Sequence, residues 1–518
     1  MVSGPADFRS IGDIPFLLGK SQGEKTALRF PPDGAMTYAE LSDRCLRFAA
    51  FLRSRSVAPG DRVAILLQNV PEFVVAYFGA ISAGCVAVPV NYRLAPPEIA
   101  YILSDCSAAA VIAPPDRLEP VRFLPGAGSV RDWFAVDGGG EGTIPFGEAL
   151  SADPAPSPAP VSPDDVAVLL YTSGTTGFPK GAMLSHRNTL FNVDSCRAAL
   201  GYLGDDVGLL TLPLFHVTGL NSQLVALMAC GATVVLQKEY DTRQVLELIE
   251  RHRATALFLV PAIYKLITLR ADAARFDLSS VRVAAYGGAP MAPETILSLR
   301  RILPARLHNC YGLTECSSLG TVLPSDLALA RSESVGFPVP GTAAEVRGEK
   351  GEKLPPGQPG ELCLKGPHIV RGYFGAPGKT RDAIRDGWLL TGDIARIDDE
   401  GLVYILDRAK DMINRGGEKV FGLEVENVLY GYPGVAEAAV FGIPHPVFGE
   451  VPAASVVPLP GESVDPESVK EYCRERLADF KVPVSVRITD RIPRNPGGKV
   501  LKKELRKDWE ERSREGAT

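Results

Sequence analysis

Helical and strand patterns alternate along most of the chain, and this alternation limits the possible folds more than any other feature. Thr37 and Glu40 form a capping box in front of a helical stripe of apolar residues. The apolar run Val63 to Leu67 then predicts a buried strand. The same unit recurs between Asp241, which can cap a helix, and Pro261, which can open the next one. Alternation of this kind is typical of an α/β fold with substantial parallel sheet.

The chain is long enough for several domains, and its pattern changes twice. Its 518 residues are enough for more than two domain-sized units. Residues 114–129 and 151–164 are rich in Pro, Ser and Ala and are expected to be loops. From about residue 340, short apolar runs separated by Gly and Pro predict antiparallel strands. The mixed helix and strand pattern returns after Asp407, so we place a domain boundary within 407–411.

Charge, cysteine spacing and hydropathy exclude several classes of protein. The net charge of −6 argues against nucleic-acid binding, which needs a basic face. The nine cysteines are scattered without a C-x-x-C pair, which argues against a disulfide framework and a thiolate zinc site. Two long uncharged stretches are poor candidates for bilayer spans: Phe73 to Val90 is expected to be a core helix followed by a buried strand, and Val207 to Gln237 is interrupted by Pro, Gly and polar residues. With no signal peptide evident, we expect a cytoplasmic protein without stable membrane insertion.

The loop YTSGTTGFPKGA, from Tyr171 to Ala182, carries the strongest chemical indication in the chain. It follows a predicted strand, and its hydroxyl and glycine residues can wrap an anion while Lys180 adds a positive charge. The spacing from Gly177 to Lys180 is not that of a Walker A loop. The candidate nucleotide contacts in this loop are Thr172, Ser173, Gly174, Thr175, Thr176, Gly177 and Lys180.

This loop resembles the phosphate-binding motif of the adenylate-forming superfamily, which includes acyl-CoA synthetases, aryl-CoA ligases and adenylation domains. Further motifs of that superfamily follow in order, so the resemblance covers nearly the whole chain. The pentapeptide YGLTE, Tyr311 to Glu315, implies that Tyr311 and Gly312 lie near adenine and Thr314 near phosphate. Glu315 is then a ligand of Mg²⁺, a cation that takes carboxylate and nucleotide oxygens. Asp393, in the triplet TGD, is implied to bind ribose.

The last hundred residues resemble the superfamily's hinge and mobile domain. In DRAKD, Arg408 is implied to reach the ribose and Lys410 to be the hinge. The following loop implies a tunnel for the pantetheine of coenzyme A, lined by Gly416, Gly417 and Glu418. Many relatives have a Pro before the acidic pair of this loop; here the sequence has Phe-Gly-Leu at 421–423. In the C-terminal motif PRNPGGK, the catalytic lysine is implied to be Lys499.

Two segments are implied to shape the pocket for the carboxylic acid. PLFHVTG carries His216, which in this superfamily gates the substrate carboxylate. YGGAP carries Gly288 and Ala289, which are implied to lie between adenine and the acyl group. Neither segment contains Lys or Arg, and a second buried carboxylate without a partner is costly. We therefore expect a monocarboxylate with an apolar body.

The resemblance implies a carboxylate–CoA ligase that uses ATP, Mg²⁺ and coenzyme A on a small-molecule acid. Its catalytic residues are implied to be Thr172, His216, Glu315 and Lys499. The implied fold is α/β, with a large N-terminal domain over residues 1–407 made of two parallel-sheet subdomains and a small β-barrel-like part. A small mobile α+β domain is implied over residues 411–518. An adenylation enzyme that loads a carrier protein in trans is the alternative. A homodimer is a reasonable expectation at this size.

Overall fold

A computed structural model describes residues 8–172, 178–270, 272–289, 291–494 and 500–515. The described α-helices, in chain order, are α1 Asp13–Ser21, α2 Tyr38–Ser54, α3 Pro71–Ser82, α4 Pro96–Asp105, α5 Pro115–Arg122, α6 Phe146–Ala149, α7 His186–Leu200, α8 Ala226–Ala229, α9 Thr242–His252, α10 Pro261–Leu269, α11 Pro293–Ile302, α12 Pro377–Ala383, α13 Gly422–Tyr430, α14 Pro466–Arg474 and α15 Lys502–Glu515.

The described strands of the N-terminal part, in chain order, are β1 Thr26–Phe30, β2 Gly34–Thr37, β3 Arg62–Ile65, β4 Val86–Pro89, β5 Ala108–Ala113, β6 Asp132–Ala135, β7 Ile144–Pro145, β8 Val166–Thr172, β9 Lys180–Ser185, β10 Val207–Leu210, β11 Thr233–Leu236, β12 Ala256–Leu259, β13 Val283–Gly287, β14 Arg306–Tyr311, β15 Thr321–Leu323 and β16 Phe337–Pro338. The strands that follow are β17 Ala343–Arg347, β18 Gly360–Lys365, β19 Ile384–Arg385, β20 Trp388–Ile397, β21 Val403–Arg408, β22 Ile413–Arg415, β23 Glu418–Val420, β24 Val435–His445, β25 Gly449–Pro458 and β26 Ser485–Ile488.

Two large sheets with parallel centres form the first part of the molecule. One has nine strands in the order β16-β15-β14-β13-β12-β10-β11-β1-β2, and the other has seven in the order β7-β6-β5-β3-β4-β8-β9. Antiparallel pairs occur only toward their edges, at β1–β2, β14–β15–β16 and β8–β9. The expected α/β fold with two parallel sheets is therefore confirmed.

Two smaller sheets follow along the chain. Strands β17 to β21 form an antiparallel sheet in which β20 pairs with β18, β19 and β21. Strands β22 to β26 form a five-stranded sheet that is antiparallel except for the parallel pair β25–β26. Between β21 and β22 the chain makes a turn at residues 409–411, where Lys410 is exposed. The sequence places the hinge at this turn.

Local signals in the sequence account for several element boundaries. The Thr37 side chain accepts from the Glu40 amide, and the Glu40 carboxylate accepts from the Thr37 amide, so the capping box begins α2 as predicted. Asp241 caps α9 by accepting from the Gln244 amide at 2.7 Å. Pro261 begins α10, where its missing amide hydrogen costs nothing.

The loop expected at 114–129 is wrong in part, whereas residues 151–164 contain no helix or strand, as expected. Residues Pro115–Arg122 form α5, and a short 3₁₀ turn covers Pro125–Ala127. Pro115 suits a first helical turn, and the helix buries Leu118 and Val121 against the seven-stranded sheet side of the core. The Pro-rich composition concealed a helix of eight residues with only two buried apolar side chains.

Both long uncharged stretches form core elements, as the sequence predicts for the first of them. Phe73 to Val90 contains most of α3 and all of β4, and nearly all of these residues are buried. Val207 to Gln237 contains β10, a π-helix at Thr218–Val225, α8 and β11. Among the described residues, no helix has both the length and the apolar character that a bilayer crossing requires.

The buried side chain of Asn69 joins the two large sheets. Asn69 follows β3 of the seven-stranded sheet, and its Nδ2 donates to the carbonyls of Leu212 at 3.1 Å and Gln237 at 3.2 Å, which follow β10 and β11. Its Oδ1 accepts from the Leu214 amide at 3.0 Å. One amide thus satisfies three backbone groups of the other sheet, two of them, at Leu212 and Leu214, on the segment that leads to His216.

Replacing Asn69 with Ala is expected to destabilise the fold, because three backbone groups lose their partner. The loss is about 2 kcal/mol or more, seen as a fall of several degrees in the thermal midpoint by calorimetry. The neighbouring Gln68 is the matched control, since it makes one exposed hydrogen bond, to Glu239 at 2.8 Å. Equal falls for Gln68→Ala and Asn69→Ala would contradict this reading.

Candidate active site

Two parallel strands of the nine-stranded sheet bring the predicted adenine contacts together. Strands β13 and β14 are parallel neighbours, so Gly288 and Ala289 leave the sheet beside Tyr311. Gly288 has φ +81°, which favours glycine. A side chain at Gly312 would collide with the carbonyl oxygen of Ser318, so the chain can turn here only with glycine. Ligands of open α/β sheets bind at this carboxyl edge.

A buried carboxylate connects this edge to the antiparallel sheet. The Tyr311 hydroxyl donates to Asp393 Oδ2 at 2.6 Å, and Arg408 Nε lies 3.5 Å from Asp393 Oδ1. Asp393 is only 4% exposed, and it is paired with Arg408 across β20 and β21. Burial, together with the Asp393 charge, raises the pKa of the Tyr311 hydroxyl well above its usual range, so this hydroxyl remains a donor. A carboxylate can accept more hydrogen bonds than these two partners donate.

The described ends of the predicted phosphate loop belong to two antiparallel strands. Thr172 ends β8 directly opposite Lys180, which begins the antiparallel strand β9. The intervening candidates Ser173, Gly174, Thr175, Thr176 and Gly177 lie outside the described residues, as does Lys499. Thr172 and Lys180 are both half-buried, so the two ends of the loop are positioned by the seven-stranded sheet.

A tyrosine that the sequence analysis did not select connects Lys180 with Glu315. The Tyr373 hydroxyl donates to Glu315 Oε1 at 2.8 Å, and Lys180 Nζ lies 5.1 Å from the centre of the Tyr373 ring. Tyr373 also forms a backbone bridge with Ala182 on β9. Glu315 lies in the single 3₁₀ turn Thr314–Cys316 after β14. By itself, the segment RGYFG predicts only a strand and a turn. It does not indicate the contacts of Tyr373, because Glu315 and Lys180 are far away in sequence.

His216 lies after β10, two residues before the π-helix Thr218–Val225, an irregularity that often marks functional sites. Its ring is 4.7 Å from that of Phe215, which in turn is 5.5 Å from Tyr92. Burial lowers the pKa of His216 to about 4, and the nearby positive charge of Arg93 acts in the same direction. At neutral pH this imidazole is therefore uncharged.

Gly416 and Gly417 form the two-residue turn of the β22–β23 hairpin. Their φ angles are +61° and +100°, so the turn itself requires glycine, independently of any tunnel. The Gly416 amide donates to the Phe448 carbonyl at 2.8 Å. The two glycines and Glu418 are exposed, beside a groove of about 380 Å³. Within the described part of the chain, no hydrogen bond or ion pair joins this hairpin to the Tyr311–Asp393–Arg408 cluster.

Comparison with known families matches both parts of the chain. Residues 19–374 match the family described as AMP-binding enzyme, and residues 424–499 match AMP-binding enzyme C-terminal domain. The first match alone covers more than half of the chain. The chain therefore belongs to the AMP-binding enzymes.

Named relatives narrow the class. The chain is 39% identical to a feruloyl-CoA synthase of Amycolatopsis over 96% of this chain and 99% of the relative. It is 38% identical to a long-chain-fatty-acid–CoA ligase of Mycobacterium tuberculosis over 92% and 94%. A fatty acid–[acyl-carrier-protein] ligase of Streptomyces coeruleorubidus is 36% identical over 91% of each chain. ATP-bound MatB from Rhodopseudomonas palustris matches 96% of this chain and 99% of its own, at 32% identity with a TM-score of 0.87. The chain is an AMP-forming acid–thiol ligase of the acyl- and aryl-CoA ligase family.

The neutral state of His216 predicts a pH dependence of stability. Its folded pKa is about 4, against about 6.5 in the unfolded chain. Between these values only the unfolded chain binds the proton, so the contribution is complete above pH 6.5 and is lost as the pH falls. His186, His308 and His368 also have pKa values of about 4, through burial.

Replacing His216 with Asn should therefore make the thermal midpoint fall less steeply than in the unmodified protein as the pH is lowered from about 7 to 5. The other three buried histidines keep a residual slope in the variant, so the two slopes are compared. Differential scanning calorimetry across this range measures both, and identical slopes would contradict a buried, neutral His216.

Proposed function

We propose that this chain activates an apolar monocarboxylic acid with ATP and transfers the acyl group to coenzyme A. In the first half-reaction, a carboxylate oxygen bonds to the α-phosphorus of ATP and pyrophosphate leaves, giving an acyl-adenylate. In the second, the thiol sulfur bonds to the acyl carbon, AMP leaves and the thiol proton is released. The acid is fatty, cinnamate-like or alicyclic.

The cluster of Tyr311, Asp393 and Arg408 is the observation that carries this proposal. A buried carboxylate with acceptor positions to spare suits the two hydroxyls of ribose, as acidic residues do in dinucleotide folds. In this pose Arg408 also reaches the ribose, and the adenine lies along Gly288, Ala289 and the Tyr311 ring. The carboxyl edge of the nine-stranded sheet then carries the nucleotide.

The phosphates are assigned to the loop from Thr172 to Lys180, with Thr314 beside them. Glu315 suits Mg²⁺, because one of its oxygens accepts from Tyr373 and the other remains for a cation. Among the described residues, no group of three His, Cys, Asp or Glu side chains could hold a metal. A single carboxylate that completes its shell with nucleotide oxygens and water is the usual arrangement for Mg²⁺. Bound there, Mg²⁺ would neutralise phosphate charge.

Catalysis in this scheme is positional and electrostatic, because two anions must meet. Lys499 is assigned to the acid oxygen and the α-phosphate, and Lys180 to the departing pyrophosphate. His216, uncharged, orients the substrate carboxylate by hydrogen bonding. For the second half-reaction the domain after the hinge at Lys410 rotates and brings Gly416, Gly417 and Glu418 to the thiol tunnel, a hinge movement.

The aromatic surroundings of His216 support an acid with an apolar body. Phe215 packs beside the imidazole, and Tyr92 packs against Phe215. The nearby cation is Arg93, which is exposed and lies over the Tyr92 ring at 5.5 Å. A charge that remains in water can be left without a substrate partner at little cost, unlike a buried one. Coenzyme A is the preferred acceptor because two of the three named relatives are CoA enzymes.

One incubation tests the proposal. Purified protein is mixed with Mg·ATP, coenzyme A and pooled fatty, cinnamate-like, alicyclic and dicarboxylic acids, and new thioesters are identified by mass spectrometry. One dominant monocarboxylic thioester is expected. A dicarboxylic product would move Arg93 into the substrate site and contradict the apolar assignment. AMP without thioester would favour a carrier-protein acceptor, and no product would contradict the proposal.

Replacing Tyr373 with Phe is expected to weaken Mg²⁺-dependent ATP binding about three- to tenfold, because one hydrogen bond to a charged group holds Glu315 in place. Isothermal titration with ATP, in the presence and absence of Mg²⁺, measures this directly. Binding without Mg²⁺ should change little, since the ring that faces Lys180 remains. Tyr404→Phe, which removes a hydroxyl donor to the distant Asp398 at 3.1 Å, is the matched control. An equal loss with and without Mg²⁺ would contradict a role through Glu315.

A further inference from the structure

A half-buried lysine lies between two buried carboxylates at the junction of β21 with the last part of the chain. Lys502 begins α15, and its Nζ is 2.8 Å from Glu426 Oε1 on α13. Gly422, the first residue of α13, lies close to both Lys502 and Asp407. A Cβ added at Gly422 would be 3.0 Å from Lys502 Nζ and 3.2 Å from Asp407 Oδ2. We call Asp407, Gly422, Glu426 and Lys502 the junction cluster.

Asp407 is tied to both sides of the turn at Lys410. Its Oδ1 accepts from the Arg408 amide at 2.7 Å, and its Oδ2 accepts from the Gly422 amide at 2.5 Å. The second bond places a carboxylate at the N-terminus of α13, where a negative charge is stabilised. Glu426 in turn accepts from the Val440 amide at 2.8 Å. Every carboxylate of the cluster therefore has a fixed partner.

Electrostatics favours a charged Lys502. Burial opposes the charge, but Glu426 and Asp407 outweigh it and raise the pKa of Lys502. For Asp407, burial raises the pKa and the Lys502 charge counteracts this only in part. An ammonium between two buried carboxylates is strongly coupled to both, and removing it leaves them uncompensated.

The junction cluster joins residues from the two sides of the turn 409–411, so it opposes rotation about that turn. Asp407 precedes the exposed turn 409–411, whereas Gly422, Glu426 and Lys502 follow it. Arg408, next to Asp407, pairs with Asp393. Lys502 comes three residues after Lys499. Any rotation of the last part about this turn separates Asp407 from its partners.

A second contact across the same boundary is independent of the cluster: Lys265 Nζ on α10 donates to the Val435 carbonyl at 2.9 Å.

We infer that Lys502 is a positioning residue, which holds the last part of the chain in this orientation through Asp407 and Glu426 and so favours acyl-adenylate formation. Transfer to the thiol requires the cluster to come apart. The assignment to the first half-reaction rests on the proposed function. The structural part of this inference is that the junction cluster holds the last part of the chain in its present orientation, and we call this the latch. The latch follows from the geometry alone.

The test uses Lys502→Met in the full chain, with Lys503→Met, the exposed neighbouring lysine, as the matched control. Limited trypsin digestion, followed by mass spectrometry of the fragments that begin after Arg408 or Lys410, reports opening at the turn without any substrate. Lys502→Met should be cut about fivefold faster or more, and Lys503→Met at the rate of the unmodified protein. Equal rates for all three would overturn the latch, whether or not the protein is a ligase.

The two half-reactions are then measured separately. Lys502→Met should lower acid-dependent ATP–pyrophosphate exchange about tenfold and leave thioester formation from synthetic acyl-adenylate within about twofold. Equal loss of both would overturn the positioning role. Absence of both activities in the unmodified protein would instead overturn the proposed function, and the proteolysis would still decide the latch.

A second variant guards against misfolding of Lys502→Met. Asp407→Asn keeps the size of the side chain and one acceptor, and it leaves the Lys502–Glu426 pair intact. It should accelerate cleavage at the turn and lower exchange in the same direction, by a smaller factor, while a single cooperative thermal transition shows that the variant is folded. Slow cleavage in this folded variant would also overturn the latch.

Discussion

The buried carboxylate of Asp393 is the constraint on which the candidate site depends. A carboxylate that is almost excluded from water must be hydrogen-bonded or paired, and here its partners come from separate parts of the fold. Tyr311 ends a strand of the nine-stranded sheet, whereas Arg408 ends β21 of the antiparallel sheet. Satisfying this one charge fixes the antiparallel sheet against the carboxyl edge of the parallel one. The same strand pair also positions Asp407, and with it the start of the last part of the chain.

In the candidate site, an uncharged tyrosine contacts both Glu315 and Lys180. Glu315 is held by a neutral tyrosine hydroxyl rather than by a cation, and Lys180 rests against the ring of the same tyrosine. His216 is uncharged at neutral pH. This arrangement keeps Lys180 available for an anionic ligand, whereas Arg408 is paired with the carboxylate of Asp393. Tyr373 makes this arrangement possible, because its hydroxyl contacts Glu315 and its ring contacts Lys180.

Local signals in the sequence predicted much of the fold and part of the site. The capping box at Thr37, the cap at Asp241 and the alternation of helix and strand act over a few residues, and all appear where expected. The helix in 114–129 was missed because its apolar face is only two residues wide. Tyr373 was missed because nothing within its own segment points to Glu315. Its register is set by pairing with Ala182, almost two hundred residues earlier in the chain.

The sequence alone determined the alternating fold and the family, because strand and helix periods and the order of short motifs are local properties. It also identified Tyr311, Glu315, Asp393 and Arg408, whose side-chain chemistry suits a nucleotide. Only the tertiary structure decided which of these groups touch, which histidines lose their charge, and that Lys502 is enclosed between Glu426 and Asp407. The physical reason is that hydrogen bonding, burial and charge coupling depend on distances between residues far apart in the chain, and only the packing of the sheets sets those distances.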